Sequence, residues 1–355
     1  MNTAKWNVDE RRRAPARALY FIRAMAADWQ PWSWHARRLD RALAAVRPEK
    51  VSAALAERVA YLNRMPPVTG TPKHRLADIP RHKITYAIDF LDVARGFGPE
   101  MRADLAFGDV TKVPAVPAFV KSRPIGAGSE NAVLLKLNQF RHYHFPRDPL
   151  AFADKKPTAV WRGRVANNPL RRALAKRHGA AGHLDIGGSL GRDGDAEKPF
   201  LSIADQLRYR YVISVEGIDV ATNLKWIFAS NSVCLMPRPR FETWFMEGRL
   251  LPWVHYAPLR DDFSDLDDVI QRLNEDPPAA ERIIANAKAW THQFRDPRRE
   301  HLVALLVLAK YFERTGQRAP GSYSFVYGDP SLAKDRVLLD GGEELRHTGS
   351  CNTET

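Results

Sequence analysis

The feature of this sequence that most constrains its fold is the alternation of strand and helix patterns over residues 158–294. Short apolar runs typical of buried strands, such as residues 211–215 and 232–236, are separated by segments in which apolar residues recur at helical spacing. Strands that alternate with helices pack as a parallel sheet with right-handed crossovers. The sequence therefore predicts an α/β fold for this part of the chain.

The first half of the chain is less regular. Residues 10–63 are rich in arginine and alanine and show helical spacing, whereas the apolar run at residues 83–89 predicts a strand. Short strands are also expected at residues 105–107 and 118–121. The helices predicted elsewhere include residues 131–143, 242–250 and 299–315.

Chain length predicts more than one domain. At 355 residues the chain exceeds the usual size of a single core, and the proline-punctuated segment 144–158 is a plausible linker. The expected parts are a front domain at 1–150, a second domain at 151–298, a C-terminal helix at 299–318 and a tail at 319–355.

The net charge of +13 and the pI of about 9.8 predict an anionic partner, which is a nucleic acid, an anionic membrane or a phosphorylated substrate. No long basic tail is present, which weakens the reading as a nucleic-acid-binding arm. Arginines within residues 10–48 are candidates for peripheral contact with an anionic membrane. The alternative is an ordinary solvated helical face.

Cysteine usage and the apolar runs bear on the compartment. Cys234 lies in an apolar strand and Cys351 in a polar segment, so no structural disulfide is expected and a reducing compartment fits best. The first residues lack the apolar core of a signal peptide. The longest apolar run, at residues 302–309, is too short to span a membrane. We therefore expect a cytoplasmic protein.

Ligands of open parallel sheets bind beyond the carboxyl ends of the strands. Arg162 leaves the first strand of the second half beside Gly163 and is well placed to bind a diphosphate in bidentate fashion. The alternative is a surface arginine that follows a buried Trp161.

A second strand end carries Gly217, which permits a tight turn. Residues 219–223 are expected to begin a helix whose amide groups face a phosphate, and Lys225 either adds positive charge or points to solvent. The alternative is a capped helix after an ordinary turn. The candidate donor contacts in this loop are Gly217, Asp219, Ala221, Thr222, Asn223 and Lys225.

Asp109 follows a short apolar strand in the first half. An aspartate in a cleft can act as a general base for an alcohol, although an aspartate beside Gly108 also suits a simple turn. Lys121 and Arg123 either supply positive charge for an anionic acceptor or end a solvated strand.

Glu242 is a candidate for hydrogen bonds to ribose or sugar hydroxyls, and the alternative is a partner for a helix dipole. His142, His144 and His255 share no spacing with cysteines or acids, and no HExxH, CxxC or GxSxG motif occurs. Metallohydrolase and serine-hydrolase readings therefore have little support, and no metal site is predicted.

Taken in order, these segments resemble the glycosyltransferases of family 90 over roughly residues 80–295, with the bacterial lipopolysaccharide branch the closest in appearance. The eukaryotic protein O-glucosyltransferases of that family carry arginines where this sequence has Glu216 and Asn223. The segments that carry the resemblance are Gly108-Asp109 with Val113-Pro114, Lys121-Ser122-Arg123-Pro124-Ile125, Trp161-Arg162-Gly163, and residues 216–226, 230–232 and 252–256.

The resemblance implies a GT-B architecture, with two Rossmann-like domains facing a cleft and a C-terminal helix that crosses back. It implies inverting, metal-independent transfer from a nucleotide sugar, commonly a UDP-sugar, to a hydroxyl of a glycan acceptor such as lipopolysaccharide core, with no cofactor. Asp109 matches the catalytic base on the acceptor-side domain. Arg162 matches the arginine that meets the diphosphate, and Gly217 to Asn223 match the donor-phosphate loop.

Two other interpretations stay open at this point. A basic nucleic-acid-binding protein would need clustered arginines interleaved with exposed aromatic residues, whereas the tryptophans here mostly fall in buried patterns, so no nucleic acid is expected. The second interpretation is a protein of the same fold that has no catalytic activity. The presence of Asp109 in its expected context argues against this interpretation.

Overall fold

The computed structural model describes residues 8–48, 51–79, 84–165, 168–188 and 198–328. The helices are α1 (Val8–Trp29), α2 (Trp32–Ala44), α3 (Ala53–Leu62), α4 (Ile84–Ala94), α5 (Gln139–His142), α6 (Pro169–His178), α7 (Ile203–Gln206), α8 (Leu224–Phe228), α9 (Leu266–Glu275), α10 (Pro277–His292) and α11 (Pro297–Arg314). The strands are β1 (His74–Arg75), β2 (Arg102–Ala103), β3 (Leu105–Ala106), β4 (Ala118–Val120), β5 (Ser122–Pro124), β6 (Ala132–Leu134), β7 (Lys156–Gly163), β8 (Asp185–Gly188), β9 (Tyr209–Ile213), β10 (Val233–Met236), β11 (Phe241–Thr243) and β12 (Ala257–Pro258).

The second half of the chain forms a five-stranded sheet in the order β12-β10-β9-β7-β8, and every neighbouring pair is parallel. Val212 of β9 lies opposite Val160 on one side and Cys234 on the other. These strands are buried on both faces, which accounts for their nearly continuous apolar runs. The predicted α/β fold with parallel strands is confirmed.

The first half contains a smaller parallel sheet in the order β3-β4-β6. An antiparallel pair of β5 and β11 joins the two halves, with Ser122 opposite Thr243 and Arg123 opposite Glu242. Another short antiparallel pair is formed by β1 and β2. The residues that follow β4 are therefore held directly against the second half of the molecule.

Two clusters of buried apolar side chains lie on opposite faces of the five-stranded sheet. Tyr211 and Ile213 point into the smaller cluster, which α6, α9 and α10 complete, whereas Val212 points into the larger one. The larger cluster also contains the three-stranded sheet and α11. Helix α11 packs on α2, α3 and α4, so the predicted helix at 299–315 is confirmed and returns to the first half.

Two predicted elements of the first half are wrong. The strand expected at residues 83–89 is helix α4 from Ile84 onward, with residue 83 outside the described ranges. Six consecutive residues from Tyr86 to Leu91, including Asp89, are buried, so the helix is enclosed on nearly all sides and its mostly apolar run also fits a buried strand. The helix expected at residues 131–143 is strand β6 followed by the short α5, because the apolar run 132–135 is buried and residues 132–134 pair with β4.

The helix expected at residues 242–250 is also wrong. Residues 241–243 form β11, and residues 247–249 form a single 3₁₀ turn. Met246 between them has a φ of 57°, a left-handed conformation that an α-helix does not accommodate. Most of the tail expected at 319–355 lies outside the described residues.

Among the described residues, none of the helices combines the length and the apolar character that crossing a membrane requires.

Candidate functional site

A cleft of about 400 Å³ lies at the carboxyl ends of strands from both parallel sheets. Asp109 follows β3 and Lys121 follows β4, while residues 161–164 end β7 and residues 215–219 follow β9. Carboxyl strand ends are where ligands of parallel sheets bind, and the volume suits a small organic ligand. Side chains from both halves of the chain therefore line one cleft.

The Lys121 ammonium group joins the two walls of this cleft. Its Nζ lies 2.7 Å from Oδ1 of Asp109 and 2.7 Å from Oδ2 of Asp219. Burial alone would lower the pKa of Lys121, but the Asp219 and Asp109 carboxylates and the neighbouring Tyr86 raise it above its ordinary value. Lys121 is almost fully buried, whereas the Asp109 side chain is 37% exposed, so the carboxylate is the accessible member of the pair.

The loop after β9 is held in place by α6. Arg171 donates hydrogen bonds from Nε to the carbonyl oxygen of Glu216 at 3.0 Å and from Nη2 to that of Val215 at 2.9 Å. The Nδ2 of Asn168 donates to the carbonyl oxygen of Gly217, and Asn168 Oδ1 caps the start of α6. A Cβ at Gly217 would lie 3.3 Å from Arg171 Nη2, so glycine allows this close packing.

The Arg162 guanidinium is directed into the protein. Its Nη2 lies 2.7 Å from Asp185 Oδ1, its Nη1 donates to the Asp185 carbonyl oxygen at 2.7 Å, and its Nε donates to the Pro199 carbonyl oxygen at 2.9 Å. The side chain is only 5% exposed. At Gly163, a Cβ would lie 2.7 Å from the Trp161 indole, so a larger residue would displace that ring. Arg162 and Gly163 thus border the cleft, and most N–H donors of the Arg162 guanidinium are already bound within the protein.

The cleft is strongly cationic. Arg141 and Arg164 lie on it from opposite halves, both are exposed, and neither guanidinium has a partner among the residues that the structure describes. The basic side chains along the cleft are Lys121, Arg141, Arg162, Arg164 and Arg171, against the acids Asp109 and Asp219. A ligand with a compact negative charge matches this lining.

His142 is a buried imidazole on the same cleft. It is only 3% exposed, and neither ring nitrogen has a hydrogen-bond partner within the described parts of the chain. Burial, followed by the positive charges of Lys225 and Lys121, holds the pKa of His142 well below its ordinary value. Buried polar groups are nearly always paired, so a neutral imidazole facing the cleft is a candidate ligand contact.

Several residues selected from the sequence lie elsewhere. Lys225 is fully buried with its Nζ 2.6 Å from Glu247 Oε1, and Arg123 is fully buried with its Nε 2.8 Å from Glu242 Oε1. None of these four side chains lines the cleft. They are internal ion pairs, and the structure does not bring Lys225, Arg123 or Glu242 to the ligand position proposed from the sequence.

Only some of the residues selected in the loop after β9 line the cleft. Asp219, Thr222 and Asn223 line the cleft together with Gly217, whereas Ala221 does not. The Asn223 side chain is bound internally, since its Nδ2 donates to the Ile213 carbonyl oxygen at 3.0 Å. Helix α8 after this loop has only five residues, so the helix dipole expected there is weak.

The sequence analysis missed Arg141, His142, Arg164 and Arg171 as cleft residues. Arg164 lies at the same strand end as Arg162, two residues later, so the pattern that selected Arg162 also indicates Arg164. Arg141 and His142 carry no such signal. The residue before α5, Asn138, has a left-handed backbone conformation, and the apolar pattern does not indicate it. In the described ranges, no group of three or more histidines, cysteines, aspartates or glutamates is arranged to hold a metal ion.

Comparison with known proteins relates this chain to glycosyltransferases. The model of glycosyl transferase family 90 matches residues 141–296. O-glucosyltransferase LpsA of Dichelobacter nodosus is 47% identical over 272 residues, which cover 75% of this chain and 85% of that protein. Protein O-glucosyltransferase 2 of Danio rerio is 35% identical over 98 residues, covering 27% of this chain and 19% of that protein. Protein O-glucosyltransferase 3 of Rattus norvegicus is 29% identical over 111 residues, covering 31% and 22% respectively.

A cationic cleft at the ends of parallel strands, in a chain with these relatives, defines a glycosyltransferase. The chain belongs to glycosyltransferase family 90 and is related to O-glucosyltransferase LpsA over most of its length.

Proposed function

We propose that this protein transfers a sugar, with inversion and without a metal ion, from a UDP-sugar to a hydroxyl of a lipopolysaccharide core or a related surface glycan. The observation that carries the proposal is the cleft in which the Asp109 carboxylate of the first half lies among cationic side chains of both halves. The relative named O-glucosyltransferase LpsA supports both the reaction class and the acceptor class.

In the proposed reaction, Asp109 accepts the proton of an acceptor hydroxyl. The resulting oxygen forms a bond to the anomeric carbon while the bond from that carbon to the diphosphate oxygen breaks on the opposite face. The electron pair of the broken bond leaves with UDP, and configuration at the anomeric carbon inverts. Lys121 contacts Oδ1 of Asp109 at 2.7 Å and fixes the orientation of the carboxylate.

The leaving diphosphate needs compensation for its developing negative charge. We assign this role to Arg141 and Arg164, whose guanidinium groups face the cleft, rather than to a divalent ion. Arg162 and Arg171 contribute positive potential while their donors shape the loop and the β7 end. Gly217, Asp219, Thr222 and Asn223 form the wall against which the donor packs.

The proposal includes a GT-B arrangement, in which residues 1–150 carry the base and residues 151–298 bind the donor. The packing of α11 on α2, α3 and α4 supports the part of this arrangement that returns the chain to the first half. An acceptor that carries phosphate is consistent with the charge of +13. We further propose that the protein acts at the cytoplasmic face of the inner membrane, where the charge would favour contact with an anionic leaflet.

A thermal-shift screen with UDP-, GDP- and CMP-sugars followed by turnover tests the donor and the base together. UDP-sugars are expected to raise the melting temperature of both wild type and Asp109→Asn. Turnover of the variant is expected to fall by about two to four decades, because the carboxylate base is lost while its shape is kept. Exposed Asp154 lies off the cleft, so Asp154→Asn is the control and should leave both readouts unchanged.

The diphosphate contacts are tested by Arg141→Gln and Arg164→Gln, with the exposed Arg172→Gln as the matched control outside the cleft. Each cleft variant is expected to weaken UDP binding by roughly tenfold, the scale of one charge-assisted hydrogen bond. Equal UDP affinity in all three variants would exclude this assignment. Binding of RNA with no response to any nucleotide sugar would contradict the proposed function as a whole.

Inversion and metal independence need separate measurements. The anomeric proton coupling of the product compared with that of the donor reports configuration, and retention would contradict the single displacement. Turnover is expected to persist in excess EDTA. Loss of turnover that added Mg²⁺ or Mn²⁺ restores would refute the assignment of charge compensation to arginines.

A further inference from the structure

The outward face of helix α1 is apolar. Leu19, Ile22, Met25 and Trp29 are 47%, 60%, 62% and 88% exposed, and at about 100° per residue they occupy roughly one third of the helix circumference. The exposed residues Ala18 and Ala26 fall in the same arc, which contains no polar side chain between Ala18 and Trp29. We call the four large side chains the α1 apolar face.

The opposite face of α1 attaches the helix to the protein. Tyr20 donates hydrogen bonds to Asp89 Oδ1 at 2.8 Å and to the Thr85 carbonyl oxygen at 3.1 Å, and its ring lies 5.9 Å from that of Phe140. These contacts fix the rotation of α1 about its axis. The α1 apolar face therefore points away from the core, and nothing in the described part of the chain covers it.

The segment that contains this face is positively charged, and Arg23 borders the face, about 40° from Leu19 around the helix. Between Ala14 and Pro48 the chain has six arginines, all exposed, against two aspartates, and Asp28 is paired with Arg95. An apolar helix face on a positively charged segment is typical of a helix that lies in the headgroup region of an anionic membrane. The exposed arginines are Arg17, Arg23, Arg37, Arg38, Arg41 and Arg47.

A second copy of the chain is a poorer occupant. A two-fold contact through the α1 apolar face would bring the arginines of both copies together, with only the two aspartates of each to offset them. An anionic lipid surface instead complements the arginines and accepts the apolar side chains. Trp29, with its large amphipathic ring, suits the boundary between headgroups and acyl chains.

We propose that the α1 apolar face docks this protein on an anionic phospholipid surface, with Leu19, Ile22, Met25 and Trp29 inserted below the headgroups and with Arg23 and the arginines of α2 binding the phosphates. The lipid contact is independent of the sugar-transfer reaction, although its purpose, presenting a glycolipid acceptor, rests on the proposed function.

The docking helix is connected to the cleft by a short path. Tyr20 of α1 and Gln139 of α5 both donate to the Asp89 carboxylate, the latter from its backbone amide at 2.8 Å and its side chain at 2.7 Å. Two and three residues further along α5, Arg141 and His142 line the cleft.

Co-sedimentation of the full-length protein with vesicles tests the docking. Wild type is expected to bind vesicles that contain phosphatidylglycerol and to bind pure phosphatidylcholine far more weakly. Ile22→Ser/Trp29→Ser is expected to lower the partition coefficient about a hundredfold, since two large apolar side chains no longer insert. The control Val116→Ser/Leu251→Ser removes two comparably exposed apolar residues elsewhere, 54% and 55% exposed, and should bind like wild type.

The charge contribution is measured with Arg37→Gln/Arg38→Gln/Arg41→Gln. Binding to phosphatidylglycerol vesicles is expected to fall about fivefold per arginine, and to lose part of its salt dependence. Circular dichroism and the UDP-induced thermal shift should match wild type in every variant, because the changed residues are exposed and off the cleft. A retained UDP shift with lost vesicle binding separates the docking from the transfer reaction.

Three results would overturn the proposal. The first is absence of wild-type binding to phosphatidylglycerol vesicles, and the second is equal binding by the Ile22→Ser/Trp29→Ser variant. The third is a wild-type dimer in solution that this variant converts to monomer, which would identify a second copy as the occupant of the α1 apolar face.

Discussion

At the scale of single residues, the unpaired His142 imidazole bears most directly on substrate binding. Its low pKa keeps it neutral at physiological pH, so one ring nitrogen donates and the other accepts. A neutral imidazole adds hydrogen bonds to a sugar hydroxyl without adding to the cationic charge of the cleft. A purely structural histidine would instead have a partner inside the protein, as His178 has in the Phe263 carbonyl oxygen at 2.8 Å.

We predict that His142→Phe lowers kcat/KM by roughly tenfold, the value of a hydrogen bond to substrate, while thermal stability stays equal or rises. The stability result follows because the variant removes two unpaired buried nitrogens. The control His178→Phe breaks an internal hydrogen bond, so it should lower stability without changing KM. Loss of stability with unchanged kinetics in His142→Phe would assign that residue a structural role.

A second residue-scale prediction concerns Lys225. Its Nζ contacts Glu247 Oε1 at 2.6 Å, and both side chains are buried, so Lys225→Met leaves a buried carboxylate that keeps its hydrogen bonds from Thr243 but loses its counter-ion. We expect a loss of about 3–5 kcal/mol in the free energy of unfolding, and a smaller loss in Lys225→Met/Glu247→Gln. Denaturant titration measures both. A stable Lys225→Met variant with weakened UDP binding would instead support the donor contact expected from the sequence.

At the scale of elements, Asp89 of α4 joins α1 to α5. Burial raises the pKa of Asp89 to about 7, against the opposing effect of hydrogen bonds from Gln139 and Tyr20. The folded state therefore retains a proton on this carboxyl group over a pH range in which the unfolded chain has lost it. This proton links the stability of the contacts among α1, α4 and α5 to the pH.

The stabilisation that comes from proton uptake at Asp89 is largest below pH 4 and is lost as the pH rises through about 7. We predict that the difference in free energy of unfolding between wild type and Asp89→Asn falls between pH 5 and 8 and is constant above it. Urea titrations of both proteins at four pH values measure this difference, in which other titrating groups cancel. A difference that does not vary with pH would show that Asp89 titrates normally.

The elements of the second half were largely predictable because their pattern is local. Buried β-strands of four to eight residues between amphipathic helices leave a clear period in the sequence, as in β9, β10 and α9. The short α5 and β11 were not predictable. Their conformations depend on left-handed backbone at Asn138 and Met246 and on pairing with distant strands.

The same distinction applies to the cleft. The positions of Asp109 and of the Gly217 loop follow from strand ends, which the sequence marks. Whether a charged side chain faces the cleft or an internal partner does not follow, because the partners of Arg123 and Arg162 are 119 and 23 residues away along the chain. Pairing with residues distant in the chain determines the direction of these two side chains, and the spacing of nearby residues does not indicate that pairing.

At the scale of the whole molecule, Glu300 at the start of α11 joins separate parts of the chain. It accepts a hydrogen bond from Trp244 Nε1 at 2.7 Å and forms ion pairs with Arg58 at 2.6 Å and Lys136 at 3.1 Å. Burial opposes ionisation, but the positive charges of Lys136 and Arg58 lower the pKa of Glu300 below its ordinary value. The larger apolar core runs through the same region from both halves.

We therefore predict that the protein unfolds in a single cooperative transition in scanning calorimetry, with equal calorimetric and van't Hoff enthalpies. Glu300→Gln should lower the melting temperature without splitting the transition, because the shared apolar core remains. The exposed Glu281→Gln is the control and should leave the melting temperature unchanged. Two resolved transitions in wild type would show that the halves unfold independently.

The ion pairs that follow β4 have a consequence for protein engineering. Lys121 and Arg123 are nearly neighbours in the chain, yet their acidic partners, Asp219 and Glu242, lie in the other half. A chimaera that exchanges the second half for that of a relative would leave buried charges without partners unless both acids, or the whole 121–123 segment, are transplanted with it. The most favourable fusion point for altering sugar specificity is therefore not the proline-rich connection between the halves but a boundary that preserves these four side chains.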